Sequence, residues 1–338
     1  MGQQLFALAV VYTVREERVR MLKQIVCIAL VASALSAADA AIAAAPAHIY
    51  VKGKLVLATD SPIVEKGRTL VPLSAVAGPL ALRLSWNAAD KTATFGKWNE
   101  SVRLTVGSST AVASGNPAHM GGLKLDSPVH IVKGRVYVPL RFLAEQFGYR
   151  VSVDDENVRI LAPLDASQLA MLRDGDLAEA RRRTMSLSPE LTHYAVDLLP
   201  YTHEREGYNV TYLFPEGRSD RFIVVSGDQA SYAELTEDGW IVKWQAHIPV
   251  GEKDTLELLW EMKVTDQRGT APEMNGSYLF WSSTDHLTTN LLSSGRLSDA
   301  GKEILGWRST TSGESGGQAE GELSLTLPGE SRLPGWVE

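Results

Sequence analysis

The stretch GRTLVPLSAV, beginning at Gly67, returns almost unchanged as GRVYVPLRFL beginning at Gly134, and this internal repeat limits what the chain can fold into more than any other feature. The longer frames are DSPIVEKGRTLVPLSAVAGPLALRLSWNAADKTATF from Asp60 and DSPVHIVKGRVYVPLRFLAEQFGYRVSVDDENVRIL from Asp126. Leu73, Val76, Ala77 and Leu80 answer to Leu140, Leu143, Ala144 and Phe147, the i, i+3, i+4, i+7 spacing of a helix that buries one stripe. Lys-Gly-Arg reads as a tight turn, since glycine tolerates positive φ, and the β-type residues after it read as a strand. Pro72 and Pro139 fall at the helix start, where a missing N–H costs nothing. Gly148 suits a helix C-cap; the first copy has Ala81 there and carries Gly78-Pro79 in the helical register, which predicts a shorter or broken helix. Beyond the helices, Leu82, Leu84 and Trp86, like Tyr149, Val151 and Val153, alternate with polar residues as half-buried strands do. A unit this small cannot close its own core, so each copy is expected to cover the apolar face of the other. The motif residues Gly67, Arg68, Pro72 and Leu73, with Gly134, Arg135, Pro139 and Leu140, are therefore read as structural. Arg68 and Arg135 are expected to pin a turn by pairing with a carboxylate or carbonyl.

In order, Asp-Ser-Pro, Gly-Arg, Val-Pro-Leu-Arg-Phe-Leu-Ala-Glu, Gly and a strand ending near Asp154 resemble the copper amine oxidase N-terminal-like domain, or stalk domain, of secreted and surface proteins of Gram-positive bacteria. The resemblance covers roughly residues 48–162, and the first copy departs from it at Ser74, Gly78, Pro79 and Ala81. It implies a supporting domain rather than an oxidase. In the enzymes that lend the name, copper and the tyrosine-derived quinone belong to a separate catalytic domain, with an Asn-Tyr-Asp/Glu context and a His-x-His pair. No two of the seven histidines here form such a pair, and GYNV at Gly207 has Tyr before Asn. No metal and no cofactor are expected.

From Met21 the sequence MLKQIVCIALVASALSAADAAIAAAPA has the layout of a secretory signal: one lysine, an apolar run from Ile25, and small residues ending in Ala-x-Ala sites at Ala40 or Ala45. Cleavage after Ala40 is favoured because Pro46 would follow Ala45, and Met21 reads as the true start. An uncleaved anchor is the alternative, weakened by Asp39. The single cysteine, Cys27, lies within this segment, so the exported part must be stable without disulfides. A formal charge of −7 argues against nucleic acid as a partner.

The fold expected is α+β: a signal over 1–45, a stalk-like domain over 46–163 with repeats at about 48–98 and 101–162, then a helix and mainly antiparallel sheet over 164–308. Asp165 is a good N-cap, with a second helix capped near Asp174-Gly175-Asp176, and Arg181 to Arg183 read as a solvated helix face. Residues 309–338, rich in Ser, Gly, Glu and Pro, read as a mobile tail.

Gly313-Glu314-Ser315-Gly316-Gly317 fits G-x-S-x-G, but in a low-complexity tail rather than on a strand-to-helix turn it reads as chance. Acidic groups such as Asp154-Asp155-Glu156, or Asp174 with Asp176, lack a calcium-loop order. The aromatic residues Trp240, Trp244 and Trp281 are candidate ligand-binding positions if exposed, with Tyr232 and Tyr278 nearby; Trp240 and Trp244, sharing a strand face with Val242, are read in favour of core. The sequence thus points to a secreted, non-catalytic, envelope-associated scaffold or binding protein, with wall glycan or another envelope protein as partner and the membrane only through an uncleaved signal. The competing expectation is an exported hydrolase using residues such as His193, His203, Asp285 or His286.

Overall fold

The two similar segments meet side by side. Each contributes a hairpin, β3 (Ile63–Glu65) with β4 (Arg68–Pro72) and β10 (His130–Val132) with β11 (Arg135–Pro139), and β4 pairs antiparallel with β11 so that Val71 faces Val138. The computed structural model describes residues 48–57, 60–117, 120–154, 157–200, 208–249, 255–286, 289–312 and 323–334. Strand β4 runs into helix α1 (Leu73–Ala77) and β11 into α2 (Leu140–Glu145), with Pro72 and Pro139 as the N-cap residues. The first helix is the shorter, as Gly78-Pro79 predicts. Gly148 takes positive φ after α2, and Ala81 takes φ 54° in the corresponding place, where its Cβ is strained.

Two further sheets enclose these helices. One orders β12 (Arg150–Val153), β13 (Asn157–Leu161), β1 (His48–Val51) and β2 (Lys54–Val56); the other runs in sequence through β5 (Arg83–Asn87), β6 (Thr92–Lys97), β7 (Glu100–Thr105), β8 (Thr110–Ser114) and β9 (Gly121–Lys124). Their inner faces and both helices share one core, including Val71, Val76, Phe95, Leu104, Val138 and Phe147. The strands after the helices are buried only at their start: Leu82 and Tyr149 are buried and Val151 packs on the core, but the later residues of each stripe are exposed. β5 and β12 each end a sheet, and Leu84, Trp86 and Val153 there are 41%, 40% and 44% exposed.

Helices α3 (Ala166–Asp174) and α4 (Leu177–Leu191) follow, capped by Asp165 and Asp176. They cover one face of a nine-stranded sheet ordered β14 (Thr192–Tyr194), β18 (Gly239–His247), β17 (Gln229–Thr236), β16 (Arg221–Ser226), β15 (Tyr208–Pro215), β20 (Tyr278–His286), β21 (Thr289–Leu297) and β22 (Glu303–Ser312), with β19 (Thr265–Gly269) also on β18. The short helix α5 (Thr255–Trp260) packs on the opposite face, where Leu258 and Leu259 join Leu213, Ile223 and Trp244. Residues 323–334 depart from the mobile-tail expectation, while 313–322 and 335–338 lie outside the described residues. Leu325 and Leu327 are buried, and Glu330, with no exposed side-chain surface, meets Arg181, equally enclosed, at 2.6 Å. Arg181 is thus no part of a solvated face, whereas Arg182 and Arg183 are exposed and pair with Glu179. From Ala45 onward the chain forms one compact unit. Among the described residues no helix is long and apolar enough to cross a membrane. The signal segment and Gly313 to Gly317 lie outside the described residues.

Candidate functional site

The motif residues build the support. Lys66 and Gly67 both have positive φ, as do Lys133 and Gly134, the backbone of a two-residue hairpin turn whose twist matches its strands. The arginine after each turn does not fasten its own hairpin. Arg68 Nε lies 2.9 Å from Asp126 and Arg135 Nε lies 3.3 Å from Asp60, so each reaches the Asp-Ser-Pro that opens the other segment. Leu73 and Leu140 are buried at the start of their helices.

Trp240 and Trp244 are core residues, but a bulge sends them to opposite faces of the sheet rather than to one. Tyr232 pairs with Trp244 but the next residue, Ala233, pairs with Val242, leaving Lys243 as an extra residue on β18. One added residue reverses the side on which all later side chains fall. Trp240 and Val242 therefore enter the core under α3 and α4, while Trp244 enters the core under α5, and both tryptophans have no exposed surface. Neither can offer a face to a ligand. Trp281 is half-buried, 6.3 Å from Tyr212 between ring centroids.

Of the hydrolase candidates, His203 and the side chains of Asp285 and His286 lie outside the described residues. His193 is 1% exposed, with Nδ1 3.0 Å from Glu100 of β7 and its ring stacked 4.3 Å from Trp98. A Cβ on Gly148 would lie 2.9 Å from Nε2, so that nitrogen faces the backbone. His247 has Nδ1 3.0 Å from Asp266 and Nε2 2.8 Å from the Pro200 carbonyl. Among the described contacts neither imidazole bonds a Ser, Thr or Cys side chain. Among the described residues no group of three or more His, Cys, Asp or Glu side chains could hold a metal ion.

Two of the concave places among the described residues bring charged and apolar groups together, and neither is announced by a local motif. The first lies on the large sheet, where Tyr232 and Tyr278 stand with Arg218, Arg221, Glu216 and Asn275 around an open cleft. Tyr232 donates to Glu234 at 2.7 Å, and burial, then Glu234, raises its phenol well above the ordinary value. Arg221 reaches Asp220 and Glu234, so charged groups of both signs rim an aromatic wall.

The second is a groove where the turn between β1 and β2, helix α1 with its following turn, and the turn between β17 and β18 meet. At one end Asp238 accepts from Lys52 at 2.7 Å, from Lys97 at 2.8 Å and from the Tyr149 hydroxyl at 3.0 Å, while Lys97 also contacts that hydroxyl. Burial tends to raise Asp238, but two ammonium groups outweigh it and hold the carboxyl below its ordinary value. Lys97 has only a share of that carboxylate and feels Lys52, so burial prevails and lowers it. Burial also opposes the charge on Lys52, but Asp238 and Glu237 raise it. The far end is apolar, with Leu55, Ala75, Pro79 and Leu80, and Leu57 stands 90% exposed at the mouth. Sequence reading could not find this site, because Lys97, Tyr149 and Asp238 come from three distant segments.

Residues 50–161 match the family model described as the copper amine oxidase N-terminal domain, which agrees in place with the resemblance read from the repeats. No curated protein and no solved structure matches the chain.

Proposed function

We propose that the copper amine oxidase N-terminal-like domain at residues 50–161 serves this chain as a rigid support, a duplicated strand-helix-strand unit, within a secreted, non-catalytic binding protein of the cell envelope. The cross-paired arginines favour the duplication, each tying the opening of one copy to the turn of the other. The large sheet then carries the ligand site, and wall glycan is the ligand. One observation carries the reading: the cleft sets the half-buried ring of Tyr232, backed by the buried Tyr278, among Arg218, Arg221 and Glu216, so that aromatic surface lies beside fixed donors and acceptors, the pairing that sugar rings require. A hydrolase is less favoured, since His193 is sealed beside Glu100 and both nitrogens of His247 are engaged.

Retention on purified peptidoglycan tests this. Wild-type protein is expected to be retained, and Tyr232→Ala and Arg221→Met to lose retention at unchanged melting temperature. Wild type passing through unretained, or Tyr232→Ala retained as well as wild type, overturns the glycan reading.

A further inference from the structure

We propose that the groove beside β2 captures the carboxyl-terminal end of a peptide with apolar side chains, which adds antiparallel to β2 and places its α-carboxylate between the Lys52 and Lys97 ammonium groups. The site is separate from the cleft of Tyr232, and the proposal stands whether or not that cleft binds glycan.

Main-chain geometry supplies the first argument. β2 ends its sheet, so one side of it is an open edge. Lys52 and Gly53 form the two-residue turn between β1 and β2, and Val51 is paired with Lys54 across it. In such a hairpin the closing pair is hydrogen-bonded and the next pair, Tyr50 with Leu55, is not. The N–H and C=O of Leu55 therefore point away from β1, toward the open edge, where an added strand would meet them.

Direction and charge supply the second. A peptide antiparallel to β2 runs from the Leu57 end toward Lys54, so its carboxyl terminus arrives beside Lys52. An ammonium has three N–H groups. Lys52 directs bonds to Glu237 and Asp238, and Lys97 to Tyr149 and Asp238, which leaves each lysine one donor for an anion among the described contacts. Lys52, Lys54 and Lys97 outnumber Glu237 and Asp238 at the groove, although the chain as a whole is at −7. Burial lowers Lys97 despite Asp238, so its charge is under-compensated as the groove stands. The apolar wall is the third argument: Leu57 and Leu55, 90% and 45% exposed, offer the surface that an apolar side chain upstream of the carboxylate would cover.

The test is fluorescence polarisation of the exported chain with a dye-labelled Leu/Val peptide bearing a free carboxyl end, against the same peptide as its amide. The acid is expected to bind and the amide to bind at least about tenfold more weakly. Leu55→Pro, which removes the outward N–H, and Leu57→Asp, at an exposed position, are each expected to weaken the acid at least about tenfold with the melting temperature held. Lys97→Met and Lys52→Met do the same where they fold. Equal binding of acid and amide, no binding of either, survival of binding in Leu55→Pro, or preference for a free fatty acid over the peptide overturns the proposal. Tyr232→Ala is expected to leave peptide binding intact even where it abolishes glycan retention.

Discussion

Glu100 of β7 holds Nδ1 of His193, on β14 of the large sheet, at 3.0 Å, with both side chains almost fully buried. The same carboxylate accepts from the Tyr194 N–H at 2.9 Å and from Asn116 at 3.1 Å, so one acid fastens the sheet of β5 to β9 to the first strand of the other portion. Glu100→Ala strands these donors in the interior and is expected to cost about 3 to 5 kcal/mol. Urea unfolding followed by tryptophan fluorescence measures it; a loss under about 1 kcal/mol would mean that water replaces the carboxylate.

Arg181 and Glu330 make the second buried lock. Burial pushes the Glu330 carboxyl up, but Arg181 and the backbone N–H groups of Gly217 and Leu327 outweigh it, and the group sits below 4.5. A depressed carboxylate contributes stability that is complete above its unfolded value and is lost as pH falls through the folded one. Wild type is therefore expected to lose stability from about pH 4.5 downward more steeply than Glu330→Gln, read as denaturation midpoint against pH.

Gly148 and Ala81 occupy the same place after α2 and α1 and predict opposite outcomes. Gly148→Ala meets both positive φ and His193 Nε2 at 2.9 Å, and is expected to destabilise by about 1 to 3 kcal/mol. Ala81→Gly relieves a strained φ of 54° and is expected to gain up to about 1 kcal/mol. Thermal melts of the two variants against wild type decide it.

His247 is expected to titrate high. Burial lowers its affinity for a proton, yet Asp266 and the Pro200 carbonyl prevail and raise it above 6.5. Its contribution is then complete below the unfolded value and is lost as pH rises through the folded one. Amide exchange in β19 is expected to quicken, beyond the intrinsic rate change, as pH rises through that window, and Asp266→Asn is expected to abolish the extra dependence.

What the sequence displayed was local. The stripe of Leu140, Leu143, Ala144 and Phe147, the Lys-Gly turns, and the caps Asp165 and Asp176 all lie within a few residues of what they govern, and each stands where its pattern places it. The failures needed partners from elsewhere. Arg181 looks solvated until Glu330 closes over it, and 323–334 looks loose because what holds it, Leu325, Leu327, Glu330 and the bonds of Arg332 to the Arg173 and Gly175 carbonyls, depends on partners far away in sequence. Leu84 and Trp86 alternate correctly, but alternation cannot say that β5 is an edge. Alternation places Trp244 on the face of Trp240, because an extra residue at Lys243 leaves no mark in composition or spacing. Lys97, Tyr149 and Asp238 converge only through the packing of three segments.

The pairing of Val71 with Val138 also constrains the order of events as the chain comes into being. A polypeptide emerging amino end first presents β4 long before β11, and until then α1 lacks the half of its packing that β11 supplies. The closing contact spans a long loop, which slows the search for it and prolongs exposure of Val71, Val76 and Leu80 to other newly emerged chains. A holding chaperone would find its binding surface here, and would lose it at the moment the two strands join.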